Sequence, residues 1–140
     1  VDQGNERVVL ITKRTYPPEV YELPLRADGL VVAKQIGELR YMPRATFDDI
    51  KEEPGIGQYR RMPTGLDVHG NKLLVTTLQD AYLYEVSDLS TVPRRIPMPL
   101  VGQREAIAFD RNDSSIAYVT RERKGGIGVS DIFKIELPLF

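Results

Sequence analysis

The chain has 140 residues, a size at which one domain can bury a real core. Hydrophobic residues make up 41% and charged residues 28%, which excludes a disordered tail, and the net charge of −1 supplies no global field toward nucleic acid or an anionic membrane. There is no cysteine, which excludes disulfides, zinc thiolate sites and thiol catalysis and leaves the compartment open.

Helix periodicity is almost absent. Apolar residues alternate or run in short blocks rich in Val, Ile, Tyr and Thr, and such blocks predict strands. Prolines and glycines fall mainly between the blocks, where turns belong. In chain order the first predicted strands cover 7–12, 19–23 and 30–36. The stretch 40–62 interrupts the pattern. In it, Thr46 followed by Asp48, Asp49 and the stop Pro54-Gly55 predicts a single helical turn. Strands resume at 65–69, and Gly70-Asn71 makes a tight turn into 72–77. The next strands are 81–86 and a weaker one over 94–98, whose prolines suit an outer edge. The last predicted strands are 105–110, 115–120 and 131–137. Between the final two, the loop 121–129 carries Gly125, Gly126 and Gly128 and is expected to be mobile.

These strands repeat one phrase. An apolar strand closes on threonine, a polar stretch follows, then a second strand rich in tyrosine or phenylalanine. Thr12 and Thr76 are 64 residues apart, Thr76 and Thr120 are 44 apart, and the excess of 20 falls within 40–62. A repeat of this length implies stacked supersecondary units. The middle unit, 63–101, reads as a complete four-stranded antiparallel meander. The first, 1–39, lacks an inner strand, and the last, 102–140, lacks an outer one. The segment 40–62 is an inserted loop, and insertions in repeat proteins often lie on the binding face.

A period near 44 residues with four strands per unit resembles a β-propeller blade. The WD and GH signatures of the WD40 type are missing. Lys72-Leu73-Leu74-Val75-Thr76 after Gly70-Asn71 resembles a strand step of bacterial NHL, lactonase-like and phytase-like propellers. Arg104 to Asp110, reading R-E-A-I-A-F-D, resembles the opening of blades in the phytase-like and SdiA-regulated groups. The resemblance covers most of the chain outside 40–62, and its motifs are specific for the architecture rather than for one family. It implies an all-β partial propeller of about three blades, cut from a ring of about six or seven. A blade cannot bury both faces alone. The expected partners are therefore further blades or a second copy of the chain, with a small-molecule or protein ligand, no nucleic acid and no membrane span.

Few residues point to chemistry. His69, the only histidine, stands two residues after Asp67 on a strand, as a catalytic relay would need. Its counterpart in the last unit is Asp110, which favours a generic polar turn position, and no G-x-S-x-G elbow accompanies it. Glu105 is the sharper candidate. It aligns with Thr64 at the start of an inner strand, near the mouth of a propeller's central channel. In lactonase-like propellers a glutamate at a comparable place binds a divalent cation, so the resemblance implies calcium or magnesium at Glu105. The competing reading pairs Glu105 with Arg104 or Arg121. Thr64, Asp67 and Glu105 are accordingly the candidate binding residues, with Glu105 the candidate metal ligand.

The acidic run Asp48, Asp49, Glu52 and Glu53 lacks calcium-loop spacing and is expected to be solvated. So are the basic clusters Arg60-Arg61, Arg94-Arg95 and 121–124. Gly125-Gly126-Ile127-Gly128 has neither the lysine nor the helix of a phosphate loop. Tyr82 and Tyr84 alternate as side chains packed between blades do. The function expected is a ligand- or protein-binding scaffold, and the alternative is a metal-dependent hydrolase of lactonase or phosphoesterase type. A third expectation is a structural, oligomerising unit.

Overall fold

The computed structural model describes residues 1–98, 103–122 and 131–138, with the side chains at 103–105 and 122 outside that description. The glycine-rich stretch 123–130, expected to be a mobile loop, lies outside the described residues. The first sheet is β1 (Arg7–Ile11), β2 (Glu19–Pro24) and β3 (Lys34–Glu38), in that order. A connection follows that holds the helix α1 (Phe47–Glu52) and a 3-10 turn, Gly57–Tyr59. The second sheet runs β4 (Gly65–His69), β5 (Lys72–Thr76), β6 (Asp80–Glu85) and β7 (Arg94–Pro97). The third is β8 (Gln103–Phe109), β9 (Ile116–Glu122) and β10 (Ile132–Glu136), with β9 central. All three are antiparallel meanders, and no closed barrel forms among the described residues.

The middle sheet explains the arrangement. Side chains alternate across a strand, so a sheet with apolar residues at every position must be covered on both faces. In β5, Leu73 pairs with Tyr84 of β6 and Val75 with Tyr82, which puts these four on one face. They share a core with Val9, Val20, Leu39 and Met42 from the first sheet and its flank. Leu74 pairs with Leu83, and with Ala81 and Ile96 it occupies the opposite face. These pack on Ile107, Phe109, Ala117, Val119 and Ile135 of the third sheet. Full burial of one such aliphatic side chain stabilises by about 2 kcal/mol. Polar ties fix the docking: Asp67 Oδ2 accepts the Phe109 N–H at 2.9 Å, and Lys72 Nζ donates to Ser114 O at 3.3 Å.

The outer faces of the flanking sheets differ. Leu10 on β1 is 46% exposed, Tyr118 on β9 37% and Ile132 on β10 68%.

One predicted strand is displaced. The apolar run within 30–36 predicts a strand there, but the partner of β2 is Lys34–Glu38. Leu30 is 98% exposed and Val32 85%, whereas Leu39 is fully buried. Leu39 N–H also donates to Pro18 O at 2.8 Å. Anchoring Leu39 in the core pulls the hydrogen-bonded segment toward it and leaves Leu30 outside. A register shift between Val20 and Tyr21 absorbs the mismatch.

The helical turn predicted after Thr46 forms with a capping box. Asp49 N–H donates to Thr46 Oγ1, and the Asp49 carboxylate accepts the Thr46 N–H at 2.8 Å. The 3-10 turn packs so closely beneath it that a Cβ on Gly57 would lie 2.0 Å from Asp49 O. That oxygen belongs to the backbone and cannot swing aside. Gly57→Ala is therefore expected to cost about 1–3 kcal/mol by overpacking. Denaturant titration checks this, and an unchanged midpoint would mean that the turn and the helix separate freely.

Candidate functional site

In a meander, successive loops alternate between the two ends of the sheet. The β1–β2 loop (12–18), the β5–β6 turn (77–79) and the β3–β4 connection (39–64) therefore belong to one end. Hydrogen bonds join them there. Leu78 N–H donates to Arg60 O at 3.2 Å, and Tyr16 hydroxyl donates to Met42 O at 2.7 Å. His69 and the β4–β5 turn belong to the other end.

Asp49 organises the connection. It is only 3% exposed. Arg61 Nε donates to its Oδ2 at 2.6 Å and Arg61 Nη2 to its Oδ1 at 3.3 Å. Arg60 Nη1 and Gln79 Nε2 also donate to Oδ1, at 3.3 and 3.4 Å. One carboxylate thus links α1, the 60–61 pair and the β5–β6 turn. The Arg61 hydrogen bonds hold the Asp49 carboxyl well below the usual carboxylate range, against the opposing effect of burial. The same contact raises Arg61 further above its ordinary value. Arg60 is raised as well, by Glu52 and Glu53 with Asp49. The acidic run is therefore split. Asp48, Glu52 and Glu53 are exposed as expected, but Asp49 is buried and paired.

Two concavities flank this hub and share Pro43 and Arg61. The larger is an open cleft of about 670 Å³ on the β6–β7 side, where Tyr41, Gln79, Asp80, Tyr82 and Arg95 contribute. Arg95 Nε donates to Asp80 Oδ2 at 2.8 Å, and this contact raises Arg95. Burial, and secondarily Asp80, push the Tyr82 hydroxyl above its ordinary value. The smaller pocket, about 180 Å³, lies between the β1–β2 loop and the connection. Arg44 stacks on the Tyr16 ring beside it, with its guanidinium carbon 3.8 Å from the ring centroid.

Of the residues singled out from the sequence, Thr64, Asp67 and His69 line neither concavity. Thr64 precedes β4, and its N–H and hydroxyl donate to Thr76 O at 2.8 and 3.2 Å. Asp67 spends one oxygen on its neighbour Val68 N–H and the other on Phe109 N–H. Both serve strand pairing and sheet docking. Glu105 falls at a register shift between Arg104 and Ala106 in β8, and its side chain is outside the described residues. His69 is exposed, with its ring centroid 5.8 Å from that of Phe109. Among the described residues no three His, Asp or Glu side chains gather as a metal site, and no helix is long and apolar enough to cross a membrane.

The hub, the stacked Arg44 and the two pockets carry one local signal in the sequence, the T-x-x-D cap at Thr46. Their long-range partners carry none. Compared with family models, curated proteins and solved structures, the chain matches none of them.

Proposed function

We propose that the chain is a section of a β-propeller-type stack that acts as a binding scaffold, with the ligand taken at the loop end built around the 39–64 connection. The observation that carries this reading is the middle sheet, apolar on both faces and covered by a sheet on each side. Stacking of that kind extends readily, and the exposed Leu10, Tyr118 and Ile132 on the flanking sheets are suited to further blades or to a second copy of the chain. Binding is favoured over catalysis by the arrangement of the loop end. Its acids are tied to arginines, and an arginine-and-tyrosine surface of this kind suits recognition.

The reading is tested by mapping small aromatic acids, amides and amines onto the 15N-labelled chain by NMR. Shifts are expected at 13–18, 41–45, 58–63, 79–82 and 93–95. Shifts confined to the opposite end, at 69–71, 86–91 and 111–115, would overturn it.

A further inference from the structure

The smaller pocket has a composition that selects a ligand class. Its floor is apolar: Pro18 and Pro63 are buried, and Met42 is 1% exposed. Its charged lining is entirely cationic, with Lys13, Arg14, Arg44 and Arg61 and no aspartate or glutamate. Arg61 is neutralised by Asp49 from behind. Among the described residues no carboxylate forms an ion pair with Lys13, Arg14 or Arg44. Three cationic residues without a carboxylate partner thus line one small pocket, and the net charge of −1 offers no general reason for the concentration. An anion beside them would offset that local excess of positive charge.

Arg44 is also prepared for such a ligand. The Tyr16 ring covers one face of its guanidinium, and the Tyr16 hydroxyl is itself held by Met42 O. Stacking occupies the flat face of a guanidinium and leaves its N–H edge for in-plane donation to a carboxylate. The ring thus fixes Arg44 in advance and reduces the entropy lost on binding. Size sets the rest of the ligand. An apolar cavity of about 150 Å³ holds benzene. The pocket's 180 Å³ therefore takes one aromatic ring against the Met and Pro floor, with its charged group toward the cationic residues of the lining.

We infer that this pocket binds a small aromatic carboxylate, its ring on Met42, Pro18 and Pro63 and its carboxylate held by Arg44, Lys13 and Arg14. The inference rests on the loop end being the binding end and names the ligand class for it.

The test uses benzoate, with benzamide and benzylamine as neutral and cationic counterparts of the same shape. Benzoate should shift the amides of 13–16 and 42–45 saturably, with a dissociation constant on the order of 1 mM for so small a ligand. Benzamide should bind about tenfold more weakly, and added salt should weaken benzoate alone. The triple variant Lys13→Gln, Arg14→Gln, Arg44→Gln changes only exposed side chains and should keep the strand amide shifts. It should lose about tenfold in benzoate affinity, since each lost charge contact is a fraction of that factor. Equal binding of benzamide, or undiminished benzoate binding by the triple variant, overturns the inference. If benzoate fails while benzamide or benzylamine shifts the same loops, the anion pocket falls and the binding end stands. If no probe shifts that end, both fall.

Discussion

Asp49→Ala is expected to destabilise the chain by about 3 kcal/mol, the combined effect of an uncapped helix and of a half-buried Arg61 left without its carboxylate. Asp49 accepts from Thr46, Arg60, Arg61 and Gln79, so its loss frees donors on three segments at once. Asp49→Asn keeps the shape and removes the charge, and separates the two contributions. The pH dependence has a definite sign. The folded-state pKa of Asp49 is depressed, so its contribution is complete above the unfolded value of about 4 and is lost as pH falls through the folded value. The stability difference between wild type and Asp49→Asn should therefore be constant above about pH 5 and shrink below about pH 4. Urea titrations at stepped pH measure it. A difference that stays flat down to pH 2 would show that the charge on Asp49 does not support the fold.

That hub also marks the limit of what could be read from residues alone. Strands were legible because burial leaves a local trace: alternation in β1 and β2, unbroken apolar runs in β5 and β6, and the Gly70-Asn71 turn. Gly70 there has φ +59°, the conformation that glycine adopts without strain. The helical turn was legible because its cap is local, three residues from Thr46 to Asp49. The role of Asp49 was not, because Arg60, Arg61 and Gln79 lie 11, 12 and 30 residues away. An acidic run looks the same in sequence whether solvated or paired. The third strand begins later than the apolar run from Leu30 predicts, because the anchoring of Leu39 in the core leaves no local trace. Tyr16 and Arg44 are equally silent in the sequence, since an exposed stacked pair has no periodicity to betray it.

The covered middle sheet leads to the second large effect, which distinguishes adjacent residues by face. Leu73 and Leu74 are neighbours in β5, 1% and 0% exposed, yet they belong to different cores. Either truncated to alanine should cost about 3 kcal/mol, the usual range for a buried leucine whose site only partly collapses. Global stability cannot tell them apart, but local opening can. In a stack whose sheets touch only their neighbours, each interface adds its own nearest-neighbour energy. Weakening one interface lowers the free energy of opening the sheet beyond it. Under native-state hydrogen exchange, Leu73→Ala should lose protection first in β1, β2 and β3. Leu74→Ala should lose it first in β8, β9 and β10. The β5 and β6 amides, held between both, should stay protected longest in either variant. An exchanged pattern would put the wrong face of β5 toward each neighbour. Equal loss in both flanking sheets would mean that the chain opens as one block, removing the physical basis for reading its sheets as separable blades.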